Sequence, residues 1–299
     1  MENSIKYSIL IPAYNAEKYI SRSITSAVNQ TTQSNYEIIV CDDGCVDKTV
    51  DIIKSFNCNK IKILTNETNQ GGIITRKKLL LEAQGKYILW LDADDDISLE
   101  TLSIMDKELN EYDYDIIDFN YNDVFIDKYY EYKKDKRLIK NQSLINLFFN
   151  KNNNCYLWGQ LLKREICIKY LPDDYHFSFD DIFFIMPIYY YARSYKTLSL
   201  PLYNYYRFIG YWSHQYQNQI TITKKEFLNQ MEARRECFYH NYKFLYKYNI
   251  HELYADKLCS FVDFKDLFLK LLKVENVEDR MECMGILETL FQVNGTLKL

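Results

Sequence analysis

An apolar run from Tyr87 to Leu91 stops abruptly at a cluster of carboxylates. The acids are Asp92, Asp94, Asp95 and Asp96. The run has the composition of a central strand that is buried on both faces. Side chains at the carboxyl end of such a strand converge on the crevice where open α/β sheets bind ligands. Hard oxygen donors in that position suggest Mg²⁺ or Mn²⁺ holding a diphosphate.

Two ordinary structural roles compete with this interpretation. Acids that follow a strand often form a solvated turn or cap the next helix. A calcium-binding EF-hand loop fails on spacing, because the sixth position counted from Asp92 is Ile97 rather than glycine and the twelfth is Ser103 rather than glutamate. The cluster alone therefore leaves the choice between a structural turn and a metal site open.

Composition limits the class of protein. Of the 299 residues, 47% are hydrophobic, which is enough to bury a large core in one domain or in a domain with an appendage. Lys and Arg number 37 against 41 Asp and Glu, which gives a net charge of −4. Because this balance provides no overall basic surface, we expect no nucleic-acid partner.

The cysteines and the apolar stretches bear on the compartment. The eight cysteines show neither CxxC pairing nor a histidine spacing suited to zinc. Since the N-terminus has no signal-peptide pattern, we expect reduced thiols in a cytoplasmic protein. The longest apolar stretch, Ile182 to Ala192, is about half of the ~20 residues that span a bilayer, so a peripheral contact with the inner face of the membrane stays open.

Strand and helix patterns alternate through the first 96 residues. The predicted strands are Tyr7 to Ile11, which Pro12 ends, Glu37 to Cys41, Ile61 to Leu64 and Tyr87 to Leu91. Three predicted helices lie between them: one capped by Asn15 with apolar Ile20, Ile24, Ala27 and Val28, one capped by Asp47, and Ile73 to Ala83. This βαβαβαβ order predicts an α/β fold with a mostly parallel central sheet covered by helices.

The remainder of the chain is less regular. Predicted strands cover Ile116 to Tyr121, Val124 to Tyr132 and Thr197 to Arg207, and predicted helices cover Leu144 to Phe149 and Ile182 to Ala192. From about Lys224 onward, apolar residues recur at heptad-like spacing: Phe227, Met231, Phe261, Phe264, Leu267, Leu271, Ile286 and Leu290. We therefore expect a main domain over residues 1–212 and a helical C-terminal appendage over residues 213–299.

Four polar segments should meet at one edge of the predicted sheet. They are Pro12-Ala13-Tyr14-Asn15, Asp42-Asp43-Gly44, Asn69-Gln70-Gly71-Gly72 with Arg76 on the helix that follows, and the acidic cluster. Three of them follow strands and one begins a helix. Together they make a functional crevice a better interpretation than an isolated acidic turn.

These segments, in this order and spacing, resemble the motifs of inverting glycosyltransferases of family 2, which have the GT-A fold. Two later segments also fit: Trp158-Gly159-Gln160-Leu161, and Phe179-Asp180-Asp181 with the apolar residues that follow. The resemblance covers roughly residues 5 to 207. It implies a Rossmann-like GT-A catalytic domain over residues 1–212 and a role in assembling bacterial surface glycans.

The resemblance also implies a donor site and a metal site. The nucleotide sugar would contact Pro12, Ala13, Tyr14, Asp43, Arg76, Asp92 and Ala93. Asp43 would accept a hydrogen bond from the uracil ring, with Asp42 as the weaker candidate, and Arg76 would approach the base or the diphosphate. Asp94 would be the principal protein ligand to Mn²⁺ or Mg²⁺. Asp95 and Asp96 are expected to be structural caps, or acids that support the site without contacting the ligand.

The general base that the resemblance implies is Asp181, whereas Asp180 fills a place where glutamate is usual. A structural role competes, because aspartate is favoured at the N-cap and in the first turn of a helix. Asp42 and Asp43 have a similar alternative as an Asx-type turn at Gly44. Which of Asp180 and Asp181 acts as the base stays open.

The chain departs from the family pattern at several positions. Cys45-Val46 replace a usual Ser-Thr, Thr75 and Lys77 replace Ala and Asn, and Gln160 replaces a common Lys. We expect Gln160 to alter contacts with the acceptor or the phosphates. His214 lies where some relatives place a further metal or diphosphate ligand, although a solvated loop histidine is the competing interpretation.

The implied activity is metal-dependent transfer, with inversion, of a sugar from a UDP-sugar donor to a hydroxyl of a glycan or lipid-linked acceptor. The alternative is a catalytically inactive sugar-nucleotide-binding or scaffold protein, and the presence of Asp94 and Asp181 weighs against it. No G-x-G-x-x-G follows the first strand, which argues against a dinucleotide oxidoreductase. The sequence leaves open the donor sugar, the acceptor, and a homodimer formed through the C-terminal helices.

Overall fold

The computed structural model describes residues 4–125, 128–131, 136–139, 143–149, 156–172, 180–206 and 223–254, with 274, 276, 279 and 281–283. The chain forms two compact units. The first consists of Met1–His176 with Phe184–Arg207, and the second of Phe177–Phe183 with Phe208–Leu299. The predicted division at residue 212 stays a prediction.

Strands and helices alternate through the first part of the chain. They are β1 (Tyr7–Ala13), α1 (Ile20–Val28), β2 (Tyr36–Asp42), α2 (Thr49–Ser55), β3 (Ile61–Thr65), α3 (Gly72–Glu82) and β4 (Tyr87–Trp90). Strand β1 pairs in parallel with both β2 and β4, and β2 pairs in parallel with β3. Each strand lies within two residues of its predicted position.

The later elements complete the sheet and its cover. They are β5 (Asp96–Ile97), α4 (Thr101–Glu111), β6 (Ile116–Phe125), β7 (Lys128–Glu131), β8 (Lys136–Ile139), α5 (Ile145–Phe148), β9 (Gln160–Lys163), α6 (Arg164–Cys167), α7 (Asp180–Tyr191) and β10 (Ser194–Tyr206). In the second unit, α8 (Lys224–Lys247) buries Phe227 and Met231. The predicted apolar positions Phe261, Phe264, Leu267, Leu271, Ile286 and Leu290 lie outside the described residues.

One sheet of ten strands organises the first unit, with β3-β2-β1-β4-β9-β6-β10-β5 as its main path. Strand β9 is antiparallel to β4 and β6, while β10 is parallel to β6. The carboxyl ends of β1, β2, β3, β4, β6 and β10 therefore lie along one edge, which we call the carboxyl edge, and β9 begins there. The predicted α/β fold with helices on a mostly parallel sheet is confirmed.

The core lies in the central strands. In β1, the consecutive residues Ile9, Leu10 and Ile11 are all 0% exposed. Successive side chains of a strand point to opposite faces, so both faces of the sheet are covered. This burial explains the continuous apolar runs, and it leaves the strand ends as the part of the sheet where polar groups can reach solvent.

Two local predictions were wrong. Strand β1 continues through Pro12, which lies beyond the last residue that pairs with β4, so its missing N–H falls where only β2 is a neighbour. Asn15 does not cap α1, because it has a left-handed backbone with φ of 47° and its side chain accepts a hydrogen bond from the N–H of Val46 at 2.9 Å. Helix α1 begins only at Ile20.

The two strands expected over Ile116–Tyr121 and Val124–Tyr132 correspond to β6 and β7, with β6 continuing to Phe125. Neither α4 nor β9 was predicted. Within the residues that the structure describes, no helix combines the length and the apolar character needed to cross a bilayer.

Candidate active site

Two of the four acids after β4 are held by the end of β10. Asp95 is 1% exposed and accepts hydrogen bonds from the Tyr203 hydroxyl at 2.7 Å and from the Tyr206 N–H at 2.8 Å. Asp96 accepts one from the Asn204 side-chain amide at 2.6 Å. These bonds agree with the structural role expected for both residues.

The other two acids, Asp92 and Asp94, are each contacted by an arginine. Asp92 accepts a hydrogen bond from a guanidinium nitrogen of Arg76 at 3.0 Å. Asp94 is anchored through its backbone carbonyl, which accepts a hydrogen bond from Arg22 of α1. Burial and the neighbouring charge of Asp92 raise the pKa of Asp94 to about 6, against the opposing effect of the two arginines. The turn therefore carries negative charge that the surrounding protein only partly balances.

This donor set fits a divalent cation that shares its ligands with a bound diphosphate. Mg²⁺ in phosphate-transfer sites takes one or two carboxylates, and substrate oxygens and water fill the other positions. Asp92 and Asp94 provide that number. In the described part of the chain, no three acidic, histidine or cysteine side chains form a complete metal cage.

Arg22 and Tyr203 fix the acidic turn from two sides, and sequence reasoning missed both. The Arg22 guanidinium lies 3.5 Å from the centre of the Tyr206 ring and 3.6 Å from a carboxylate oxygen of Asp96. The Tyr203 hydroxyl donates to Asp95 and accepts from the backbone N–H of Asp92 at 3.2 Å. No local sequence signal marks Tyr203, since it lies 108 residues from Asp95.

Asp43 closes the loop that leads into α3. Its carboxylate accepts hydrogen bonds from the N–H groups of Gln70 at 2.8 Å and Gly71 at 3.0 Å, and from the Asn66 side chain at 2.8 Å. A carboxylate can accept about four hydrogen bonds, so one position is left for a ligand. Asp43 thus has a structural role besides the predicted contact with uracil.

Asp42 forms the Asx-type turn that competed with a binding role, since its carboxylate accepts from the N–H of Cys45 at 2.8 Å. Gly44 in this turn has φ of 73°. A Cβ atom there would lie 2.6 Å from the carbonyl carbon of Thr68 and 2.7 Å from the nitrogen of Asn69. Glycine is therefore required both by the backbone conformation and by the close approach of the neighbouring loop.

The end of β1 lies beside this turn. The carbonyl of Ala13 accepts a hydrogen bond from the N–H of Asp43 at 2.9 Å. Pro12 is half-buried, Ala13 is buried, and Tyr14 is 40% exposed. The predicted base-binding residues of β1 and β2 therefore lie together at the carboxyl edge, with Tyr14 as the member most open to solvent.

Arg76 connects the loop held by Asp43 with the acidic turn after β4. It lies on α3, which begins next to Gly71, and it is only 8% exposed. Its guanidinium lies 5.5 Å from the centre of the Trp90 ring while it bonds Asp92. Arg76 is buried and paired, and its fixed charge beside Asp92 suits an anionic ligand.

The candidate base, Asp181, belongs to the second unit of the chain. It is half-buried in the first turn of α7. The side chain of Asp180 and all of His214 lie outside the described residues. The structure thus brings together Pro12, Ala13, Tyr14, Asp43, Arg76, Asp92, Ala93 and Asp94, and the role of Asp181 stays a prediction.

Gln160 differs from its expected role. It is 0% exposed, so it cannot touch an acceptor or a phosphate directly. Its side-chain amide donates to the Tyr156 carbonyl at 2.6 Å and accepts from the Tyr189 hydroxyl at 3.0 Å. Gln160 therefore positions the segment that carries Tyr156 and Trp158.

Comparison with known proteins places this site in a family. The sequence profile "Glycosyl transferase family 2" matches residues 8–171. WfgD of Escherichia coli, a UDP-Glc:alpha-D-GlcNAc-diphosphoundecaprenol beta-1,3-glucosyltransferase, is 44% identical over 88 residues, which cover 29% of this chain and 34% of WfgD. The cholesterol galactosyltransferase of Borreliella burgdorferi is 26% identical over an alignment of 321 residues, which covers 98% of this chain and 83% of that protein.

A solved structure shows the same fold. Residues 1–349 of TarS from Staphylococcus aureus, in complex with UDP-GlcNAc, match with a TM-score of 0.68 at 21% identity, covering 95% of this chain and 80% of that TarS fragment. The segment of this chain that aligns with WfgD spans only about a third of the length of WfgD. Because the family profile matches more than half of the chain, the predicted resemblance is confirmed. The chain belongs to glycosyltransferase family 2.

Proposed function

We propose that this protein transfers a sugar from a UDP-sugar to a hydroxyl of a glycan or lipid-linked acceptor in the synthesis of a bacterial surface glycan. The observation that carries the proposal is the Arg76–Asp92 pair beside Asp94 at the carboxyl edge. An arginine and two carboxylates in one crevice suit a diphosphate together with its cation. The UDP-Glc in the name of WfgD and the UDP-GlcNAc bound to TarS support UDP as the nucleotide.

In this proposal the ends of β1 and β2 hold the base. The open side of the Asp43 carboxylate accepts a hydrogen bond from the uracil ring, while Pro12, Ala13 and Tyr14 flank it. Asp92 and Ala93 contact the rest of the nucleotide sugar. Since Asp43 also grips the loop before α3, base binding and the position of Arg76 depend on the same carboxylate.

The chemistry requires a stabilised leaving group. Arg76 donates hydrogen bonds to the diphosphate from a fixed position, because its pairing with Asp92 orders it before the substrate arrives. Mn²⁺ or Mg²⁺ on Asp94 would neutralise the charge that develops on UDP as the glycosidic bond breaks. Asp95 and Asp96 keep the turn in place through their bonds to β10.

The second requirement is a base for the acceptor. Asp181 takes the proton of the acceptor hydroxyl while that oxygen attacks the anomeric carbon, and the bond to UDP breaks on the opposite side. The product sugar then has the inverted configuration. The proton passes to Asp181, the acceptor oxygen forms the new bond to the anomeric carbon, and UDP leaves, so the step needs no further reactant.

The alternative is a protein of the same fold that binds a sugar nucleotide without turning it over. The test is UDP release from a panel of UDP-sugars in the presence of a mixture of glycan acceptors, with and without Mn²⁺, by the wild type and by Asp181→Asn. We expect metal-dependent release by the wild type only, with UDP affinity nearly equal in both proteins. Asp180→Asn, measured in parallel, tells which of the two adjacent acids is the base.

Two results would contradict the proposal. Transfer that survives in Asp181→Asn would place the base elsewhere. UDP binding by the wild type with no release from any donor would favour the non-catalytic alternative.

A further inference from the structure

An aromatic stack lies at the carboxyl edge beyond the acidic turn. The Trp158 ring is nearly parallel to three tyrosine rings: Tyr156 at 4.7 Å and 6°, Tyr203 at 4.8 Å and 15°, and Tyr205 at 5.0 Å and 17°. A centroid distance of 4.7 Å between nearly parallel planes means that the Tyr156 ring lies flat against one face of Trp158.

Trp158 and the Tyr156 ring stacked on it differ in exposure. Trp158 is 3% exposed, whereas Tyr156 is 49% exposed. Since one face of Tyr156 lies flat on Trp158, the exposed area includes its other face. The buried Gln160 holds the Tyr156 carbonyl at 2.6 Å, and Gly159, with φ of 73°, turns the chain between them. The Tyr156 ring is thus held in place by its stacking on Trp158 and by the hydrogen bond from Gln160 to its backbone carbonyl.

The stack and the nucleotide-binding residues lie on opposite sides of the acidic turn. In the sheet order, β3, β2 and β1 lie on one side of β4, while β9, β6 and β10 lie on the other. Asp43 and Ala13 belong to the first group, and Trp158 lies just before β9. The Tyr203 hydroxyl connects the two parts by bonding the N–H of Asp92.

We propose that the exposed face of Tyr156, backed by Trp158, is the binding surface for a pyranose ring of the acceptor. A pyranose presents a face of C–H groups, and these meet the negative face of an aromatic ring favourably. A rigid ring costs little conformational entropy on binding, which suits a weakly held sugar. The inference rests on the proposed transferase activity and adds that the acceptor contains a sugar ring at or next to the reacting hydroxyl.

Saturation-transfer NMR tests this directly. The probes are the methyl glycopyranosides of glucose, galactose and N-acetylglucosamine, added to the whole protein together with UDP and Mg²⁺. We expect at least one to bind the wild type with a Kd on the order of 1–10 mM and to receive saturation through its C–H groups. Tyr156→Ala should weaken that binding about fivefold or more, and Tyr156→Phe should keep it within about twofold, because the ring face carries the contact.

Matched variants separate this effect from changes in folding. Tyr112 is 39% exposed and lies 5.0 Å from the Tyr114 ring at the opposite edge of the sheet, so Tyr112→Ala should bind the glycosides like the wild type. Should Tyr156→Ala fail to fold, Tyr156→Leu keeps Trp158 covered without an aromatic plane and carries the same expectation. UDP affinity, measured by calorimetry, should be unchanged in every variant.

Three results would overturn the inference: no glycoside binding by the wild type, equal binding by Tyr156→Ala, or equal losses in Tyr156→Ala and Tyr156→Phe. None of these touches UDP binding. A wild type that binds glycosides through Tyr156 but neither binds UDP nor releases it from UDP-sugars would instead contradict the proposed function.

Discussion

Removing one hydroxyl, by Tyr203→Phe, tests how the acidic turn is held. Tyr203 is 0% exposed, and its hydroxyl donates to Asp95 and accepts from the N–H of Asp92. Burial and the charges of Asp95 and Asp92 raise the pKa of Tyr203, so the hydroxyl is protonated at every physiological pH and acts as a donor. The substitution leaves Asp95 and the N–H of Asp92 in place but removes the hydroxyl to which both are hydrogen-bonded.

The expected cost follows from what is left unsatisfied. A buried acceptor that loses one donor costs about 1–3 kcal/mol of unfolding free energy, because water cannot replace the lost bond. Asp95 is 1% exposed and keeps only its bond from the Tyr206 N–H among those described above. For a chain of this size, that loss lowers Tm by roughly 2–10 °C. Urea unfolding followed by circular dichroism measures it directly.

Tyr7→Phe is the matched control. Tyr7 is also 0% exposed, and its hydroxyl donates to Asp106 at 2.7 Å. Asp106 keeps three other donors, namely Lys6, Thr32 and Ser34. We therefore expect Tyr7→Phe to cost less than about 1 kcal/mol. Equal costs for the two variants, or no cost for Tyr203→Phe, would refute the idea that Tyr203 holds the turn.

Three further predictions concern other parts of the site and fold. Gly44→Ala should lower unfolding free energy by about 1–3 kcal/mol in urea titrations, owing to its positive φ and the close backbone, whereas Gly72→Ala, in the first turn of α3, should be tolerated. Arg76→Lys should weaken UDP binding by about tenfold in calorimetry, because lysine keeps the charge but loses the fork that bonds Asp92 and a diphosphate together. Burial disfavours the charged Asp106 carboxylate, but its hydrogen bonds outweigh burial and hold its pKa below the ordinary value. Its contribution to stability is therefore complete above about pH 4 and lost as pH falls through the folded pKa, so Asp106→Asn should lower Tm at neutral pH and flatten the fall of Tm below pH 4.

The parallel strands were predictable because burial on both faces leaves a strong pattern. The apolar run of β1 is interrupted only by the buried Ser8 and that of β4 has no polar break, and the ends of the two runs therefore located the acids and the nucleotide-binding loops. In α4, Leu102 and Met105 are buried at helical spacing, a signal that periodicity carried although no helix was predicted there. Strand β9 had no such signal, since its four residues gain their place only by pairing between β4 and β6.

The contacts that hold the site were less accessible to sequence reasoning. Asp43 could be assigned to the carboxyl edge from its position after β2. Its hydrogen bond from the Gly71 N–H, however, depends on how closely the loop with Thr68 and Asn69 passes Gly44. The part played by Tyr203 depends on β10 returning to the turn from far along the chain. Such contacts are set by tertiary packing, and no local pattern of residue types encodes them.

Calorimetric titration of UDP, with and without Mn²⁺, tests the central claim that the turn after β4 binds a metal–diphosphate. For the wild type, Mn²⁺ should raise UDP affinity by about tenfold or more. Asp94→Ala should abolish that increase and keep the metal-free affinity, while Asp96→Asn, in the same turn but bonded to Asn204, should retain the increase. An unchanged effect of Mn²⁺ in Asp94→Ala would contradict the assignment of Asp94 as the metal ligand.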